Sequence, residues 1–340
     1  MLFLDFVFRG GAEKAPETNE KEKLLIDFKL APRPNAKHPE REEARLISFV
    51  NTIAEKSPFG KAVLEEAARN GYTLGFENQS GSCGFCEKEN KVIMLNPRMS
   101  DNLLIATLAH EARHAQQFAN GAIEEFGYYN VKDDLKYNRA MEADAETAAA
   151  ATCYEIRANG NAGPWKAFAK DSRDISFGLM NGAASSGAGK GKITTPMLQG
   201  AFNGWYKDTA MVEGYEEGYV QDVMNDAMEN KEEQYLPYDA KVSSAEIVTR
   251  FCKDAAGKCY WADRPDVLDS PEKLSVCAET VNVADKFFES REKRFGMKPD
   301  TSYKNLPVRD PENLDHPRAA SEKSRVSPVA IRLMAGKKQR

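Results

Sequence analysis

The sequence predicts an α+β fold that is mostly helical and carries a small antiparallel β-sheet. Apolar residues recur at helical spacing over residues 40–56, and a second helix over 59–70 ends at Gly71. Two short apolar runs, residues 72–76 and 91–95, flank a stretch rich in Asn, Ser and Gly, which is typical of two strands joined by turns. These observations place a small sheet among helices.

Two long helices are expected after the second strand. Ser100 stands where an N-cap belongs, and the helix that follows ends at Asn120 and Gly121. The next helix begins near Asp133 and ends near Asn159. Because one loop joins them, the two helices can run antiparallel and face each other. Shorter helices are expected over three further segments: 164–170, 206–229 and 281–294.

The 340 residues divide into four parts in this interpretation. Residues 1–39 form an N-terminal arm and 40–230 form the main domain. Residues 231–295 form a helical C-terminal portion, and 296–340 form a basic tail. The tail holds five prolines and dense charge, which predicts disorder because little of it can pack.

The net charge and the length of the apolar runs indicate which binding partners are not expected. The net charge is −5, and residues 291–340 contribute 13 basic and 6 acidic side chains, or +7, which leaves −12 for the rest. An acidic body repels polyanions, so no nucleic-acid partner is expected. No apolar run reaches the roughly 18–20 residues of a membrane span, and residues 1–8 make a poor signal peptide. A cytoplasmic protein is expected, with signal-independent secretion left open.

One motif points to metal chemistry: residues 110–114 read HEARH, which has the spacing H-E-x-x-H. Histidines four apart on a helix lie on one face, so His110 and His114 can bind the same Zn²⁺. Glu111 points about 100° round the helix, a direction that suits reaching the metal's water. With 4 His in the chain, chance gives about 0.007 such motifs. A zinc site on this helix is therefore expected.

A catalytic zinc ion takes a third protein ligand, and Glu142 is the candidate. The other two histidines are poor choices, since His38 lies in the arm and His316 in the basic tail. Glu142 lies on the second long helix within a stripe of otherwise apolar or small residues, where an unpartnered carboxylate would be costly to bury. A metal ion bound by both histidines and Glu142 would offset the free-energy cost of burying this carboxylate.

Residues near Glu142 are candidates for supporting roles. Glu146, one turn further on, is placed to hydrogen-bond a ligand histidine. Arg139 is expected to pair with Glu142, Glu146 or a substrate carboxylate, and Asp144 is expected to face solvent.

The sequence resembles the glutamate-type zincin metallopeptidases (gluzincins), which combine H-E-x-x-H with a glutamate on the next helix. The strings LNP at 95–97, LAHEARHAQQ at 108–117 and EADA at 142–145 are similar to an uncharacterised bacterial family of metallopeptidases. The resemblance covers roughly residues 40–222 and implies a zincin-like core, one Zn²⁺ per chain and a protein or peptide substrate. It also implies that His110, His114 and Glu142 bind zinc and that Glu111 is the catalytic base. Better-known relatives often place Asp where this chain has Glu146.

Two questions stay open at this point. A tetrahedral oxyanion needs a donor besides zinc, and the sequence does not choose among four candidates: Tyr128, Tyr129, Tyr137 and Tyr206. The rival to a peptidase is a catalytically silent zincin-like protein with an interaction or regulatory role.

The six cysteines are too few for a disulfide scaffold. Cys83 and Cys86 have C-x-x-C spacing, and reduced thiols in a turn, or a local disulfide, are the favoured interpretation. A structural zinc shared with Cys252 and Cys259 is the alternative.

Overall fold

The computed structural model describes residues 23–309 except 32, 34, 124, 125, 188 and 230–235. Its strands are β1 (Lys29–Ala31), β2 (Thr73–Phe76), β3 (Gly84–Glu87) and β4 (Val92–Leu95). Its helices are α1 (Pro39–Lys56), α2 (Pro58–Arg69), α3 (Asp101–Ala119), α4 (Val131–Ala158), α5 (Gly163–Asp171), α6 (Arg173–Ser186), α7 (Thr195–Trp205), α8 (Thr209–Glu216), α9 (Val223–Glu229), α10 (Ser244–Phe251), α11 (Pro271–Leu274) and α12 (Ala278–Phe295). The α+β prediction is confirmed.

The sheet is mixed, so the prediction of a purely antiparallel sheet is wrong. Its strand order is β1-β2-β4-β3, in which β1, β2 and β4 run parallel and β3 runs antiparallel to β4. The turn-rich stretch contains β3, which reverses the chain before β4. Because β4 then inserts between β2 and β3, the two strands predicted from the sequence pair in parallel.

The two predicted long helices, α3 and α4, form the centre of the fold. Ser100 Oγ accepts a hydrogen bond from Leu103 N at 3.4 Å, which caps α3. The side chain of Asn130 accepts from Asp133 N at 3.1 Å and caps α4. Both helices are buried around most of their circumference, including many polar side chains. A helix buried all round lies inside the core, where polar groups need specific partners.

Helices α6 and α7, which the sequence analysis did not predict, pack backbone against backbone. Gly178 of α6 faces Gly200 of α7. Gly182 of α6 lies against the backbone of Pro196 and Met197, and Gly204 of α7 lies against the backbone of Asp174 and Ile175. A Cβ added at Gly178 would lie 2.1 Å from Gly200 O. The spacing of four residues puts each glycine pair on one helix face, so the two backbones approach without side chains between them.

The predicted helix over 206–229 is three elements, because a π-helical segment, Glu217–Asp222, separates α8 from α9. The predicted helices over 164–170 and 281–294 appear as α5 and α12, whereas α10 and α11 were not predicted. No helix in the described ranges combines the length and apolar character needed to cross a bilayer.

Both predicted terminal parts contribute to the packed structure. In the arm, Ile26 and Phe28 are buried and β1 joins the sheet. After residue 296, where the sequence predicted disorder, Ser302–Asn305 form a 3-10 helix and Tyr303 is buried. Asp300 Oδ2 accepts from Val131 N at 2.9 Å, at the first turn of α4. Residues 310–340 lie outside the described residues, and the four-part division stays a prediction.

Candidate metal centre

Helix α3 places the two motif histidines side by side. The Nε2 atoms of His110 and His114 lie 3.0 Å apart, and the two rings are 5% and 3% exposed. One helical turn separates the residues, so both rings leave the same face of α3. Two imidazole nitrogens this close can share one proton or one cation.

Helix α4 brings Glu142 to the same point. Its Oε2 lies 3.5 Å from His110 Nε2, and its Oε1 lies 3.6 Å from His114 Nε2. Glu142 is fully buried, and Oε2 has no hydrogen-bond partner within the described residues. An unpartnered carboxylate oxygen between two imidazoles is costly unless a cation binds there. The set of two imidazoles and one carboxylate therefore fits a divalent metal ion.

Glu111 supplies a second buried carboxylate to the site. One ligand atom each from His110, Glu111 and His114 lies within 4.8 Å of the others. Both carboxylate oxygens of Glu111 lack a hydrogen-bond partner in the part of the chain that the structure describes. Glu111 thus joins Glu142 as an acidic neighbour of the two histidines.

The two carboxylates have opposite pKa shifts. Burial raises the pKa of Glu111 to about 7, although the neighbouring imidazoles of His110 and His114 oppose the shift. Burial also acts to raise the pKa of Glu142, but the same two imidazoles outweigh it and hold this pKa well below its usual range. Burial lowers the pKa of His110, yet Glu142, Glu146 and Glu111 together raise it to about 9. The site therefore favours positive charge at His110 and a charged carboxylate at Glu142.

Tyr219, which sequence reasoning missed, contacts Glu142 directly. Its hydroxyl donates a hydrogen bond of 2.7 Å to Glu142 Oε1. Tyr219 lies in the π-helical segment Glu217–Asp222, and its ring stacks on Phe126 with centroids 4.8 Å apart. π-helical segments often occur at functional sites. Nothing in the local sequence distinguishes this tyrosine from other aromatic residues that pack in the core.

His114 is contacted on its far side by Gln117. The Nδ1 atom of His114 lies 2.8 Å from Gln117 Oε1. Gln117 in turn contacts Asp144, whose carboxylate is fully buried and forms an ion pair with Arg113. The expectation that Asp144 faces solvent is wrong, because α4 is enclosed on this side by α3 and by residues 251–260.

The two predicted supporting residues lie in different places. Glu146 Oε1 lies 3.5 Å from His110 Nδ1, so this carboxylate adjoins the site. Arg139 pairs instead with Glu216, at 2.8 Å, and also donates to the carbonyls of Lys273 and Ser275. Arg139 therefore joins α4 to the C-terminal portion.

The four tyrosines considered as oxyanion donors are spread over the fold. The rings of Tyr128, Tyr129 and Tyr137 pack in a row that ends on Phe251. The hydroxyl of Tyr137 accepts a hydrogen bond from Ile123 N. The hydroxyl of Tyr206 is buried and has no hydrogen-bond partner among the described residues. The contacts of these residues do not single out one donor.

His38, which the sequence analysis rejected as a ligand, and the six cysteines lie outside this site. His38 is exposed at the start of α1, and His316 falls outside the described residues. All six cysteines are free thiols. Within the described ranges, the one group of three or more metal-type side chains is the one that contains His110, so the four cysteines considered for a shared zinc form no such group.

Comparison with known protein families identifies the chain. Residues 27–261 match the family described as "putative metallopeptidase family (DUF6782)". Comparisons with curated proteins and with solved structures gave no significant match. The match covers α3, α4 and every side chain of the site described above. The chain belongs to this metallopeptidase family, whose description implies a bound metal ion and a protein or peptide substrate.

Proposed function

We propose that this protein hydrolyses peptide bonds with one zinc ion, held by His110, His114 and Glu142, and with Glu111 as general base. One observation carries the proposal. The fully buried Oε2 of Glu142 has no hydrogen-bond partner among the described residues and lies 3.5 Å from His110 Nε2. Two imidazoles and one carboxylate, with a fourth position left for water, are the donor set of a catalytic zinc site.

Distances support Glu142, rather than Glu111, as the third ligand. Its two oxygens approach both histidine Nε2 atoms, at 3.5 and 3.6 Å. Tetrahedral zinc with Zn–N bonds of about 2.0–2.1 Å holds two ligand nitrogens roughly 3.3 Å apart. The observed Nε2–Nε2 separation of 3.0 Å is close to that value. Tyr219 already holds the other oxygen of Glu142, which orients the carboxylate toward the histidines.

The environment of Glu111 suits a general base. A base works best when its pKa lies near the working pH, and burial raises the pKa of Glu111 to about 7. Neither of its oxygens has a hydrogen-bond partner within the described residues, so no other protein group there competes for the lone pairs that a base needs.

The chemistry divides between the metal and the chain. A zinc ion held by His110, His114 and Glu142 would polarise the substrate carbonyl and acidify a bound water molecule. In that setting Glu111 would accept a proton from the attacking water and would deliver it to the departing amine. The side chains of α3 and α4 that surround Glu111 are buried, which keeps bulk water from competing for this proton.

The test compares Glu111→Gln with the wild type. We expect the variant to keep one metal ion per chain, measured by inductively coupled plasma mass spectrometry, and to lose casein cleavage by at least 100-fold, because it cannot accept a proton. Glu55→Gln, at an exposed position of α1, is the matched control and should cleave normally. Wild-type protein that binds metal but cleaves neither casein nor itself would instead favour the silent, regulatory role.

A further inference from the structure

We propose that Gln117 and Asp144 are positioning residues that fix the tautomer of His114, and that residues 251–260 complete this arrangement. The inference rests on the proposed metal site, since it concerns which nitrogen of His114 is free to bind the ion. The connection runs from His114 Nδ1 through the Gln117 amide and the Asp144 carboxylate to Arg113 and Tyr260. Every step in it is a hydrogen bond between buried groups.

The orientation of the Gln117 amide follows from its other partners. Its Nε2 lies 2.9 Å from the carbonyl oxygen of Met141 and 2.8 Å from Asp144 Oδ2. A carbonyl and a carboxylate only accept hydrogen bonds, so the NH₂ end of the amide must face them. Its Oε1 therefore faces His114 Nδ1, at 2.8 Å.

That orientation decides where the proton of His114 resides. Because Gln117 Oε1 can only accept, His114 Nδ1 must carry the hydrogen. In a neutral imidazole the other nitrogen, Nε2, then keeps its lone pair. This is the nitrogen that faces His110 and Glu142. The amide thus sets the form of His114 that a metal ion needs.

Asp144 holds the amide because four donors fix its own carboxylate. Arg113 donates from Nε to Oδ2 at 2.7 Å and from Nη2 to Oδ1 at 2.9 Å. Tyr260 OH donates to Oδ1 at 2.8 Å, and Gln117 Nε2 is the fourth donor. Asp144 is fully buried and Arg113 is 1% exposed. Such a bidentate pair is geometrically rigid, so the carboxylate cannot turn away from Gln117.

The last partners in this series of hydrogen bonds, Phe251 and Lys253, follow His114 by well over 100 residues in the sequence. Arg113 Nη2 donates to the carbonyl oxygens of Phe251, at 3.0 Å, and Lys253, at 2.6 Å. The hairpin that presents Tyr260 is closed by pairing of Lys253 with Cys259 and by Tyr260 N donating to Cys252 O at 2.9 Å. The family match ends at residue 261, one position after Tyr260. We infer that the functional unit needs residues up to 260, beyond the predicted boundary at 230.

The test reads the tautomer directly in the metal-free protein. Long-range ¹⁵N–¹H correlation spectra of histidine-labelled protein, at a pH where His114 is neutral, should show His114 protonated at Nδ1. Gln117→Leu should give a mixture of tautomers and should weaken zinc binding, measured by competition with a chelating dye, by 10- to 100-fold. Gln221→Leu, which alters a partly buried glutamine beside Cys277, is the matched control and should change neither quantity.

If Gln117→Leu folds poorly, a milder substitution at Tyr260 tests the same series of hydrogen bonds. Tyr260→Phe removes one donor to Asp144 and should keep the Nδ1 tautomer while weakening zinc binding several-fold. Wild-type His114 protonated at Nε2 would overturn the proposal, as would zinc affinity within twofold of wild type in both variants. Because these readouts need no substrate, a protein with the expected tautomer and no cleavage would contradict the proposed function alone.

Discussion

The hydroxyl of Tyr219 donates a hydrogen bond of 2.7 Å to Oε1 of Glu142, and both residues are buried. The bond joins a π-helical turn to α4, so two elements far apart in sequence set the orientation of one carboxylate. A carboxylate held at one oxygen presents the other in a fixed direction, which favours binding of a metal at that oxygen.

Tyr219→Phe should therefore weaken metal binding by about 10-fold while leaving the fold intact, because only a hydroxyl is removed. Dye competition would give the affinity, and near-ultraviolet circular dichroism would report on the fold. Tyr206→Phe is the matched control, since that buried hydroxyl has no hydrogen-bond partner among the described residues. Equal affinity in the two variants would show that Tyr219 does not orient the ligand.

His110→Ala should lower the metal content of the purified protein to well below one ion per chain. The substitution removes one of three expected ligands and leaves the Glu142 Oε2 carboxylate oxygen without its 3.5 Å neighbour. His38→Ala, at an exposed position, should keep the wild-type content. Elemental analysis after dialysis measures both, and unchanged metal in His110→Ala would count against its role as a ligand.

Gly178→Ala should destabilise the protein by about 2–3 kcal/mol or more. The new Cβ would lie 2.1 Å from the backbone oxygen of Gly200, so α6 and α7 would have to separate. Gly189→Ala is the control, because a Cβ there meets nothing within 4 Å. Urea unfolding of the two variants measures the difference, and equal midpoints would mean that the helices separate at little cost.

Stability should depend on pH through Asp134. Burial raises the pKa of this carboxyl from 3.8 to about 7, although the backbone N–H of Gly127 opposes the shift. Between these two values the folded protein binds more protons than the unfolded chain, so the free energy of unfolding falls as pH rises. Below the interval this contribution is fully present, and above about pH 7 it is lost.

Asp134→Asn removes that titration. Relative to wild type, we expect the variant to gain on the order of 3 kcal/mol in free energy of unfolding between pH 4 and pH 8. Urea unfolding at several pH values measures the gain, with Asp27→Asn as the exposed control. Parallel pH profiles for wild type and Asp134→Asn would contradict the prediction.

The parts of the site that lie close together in sequence could be predicted, because helical spacing alone relates them. His110, Glu111 and His114 belong to one turn of α3, and Glu142 interrupts an apolar stripe on the next helix. The same spacing gave most of the helix positions. Helical spacing could not predict the direction of the strands. That direction depends on β3, which lies in a stretch with little apolar character and was therefore not recognised as a strand.

Residues whose partners are distant in sequence could not be predicted. Asp144 looks like an exposed carboxylate until Tyr260, 116 positions later, is placed against it. Arg139 was expected beside the metal, but its partner Glu216 comes from α8. Burial of a charge depends on which element covers it, and spacing within one helix does not contain that information.

The contact between Asp300 and Val131 has a consequence for protein synthesis. Asp300 Oδ2 accepts from Val131 N, and Ser302 Oγ accepts from Lys132 N, across 169 and 170 residues. A nascent chain leaves the ribosome from its N-terminus, so the helix that carries Glu142 emerges long before these two partners. The first turn of that helix therefore gains these two contacts only after 169 and 170 further residues have been synthesised.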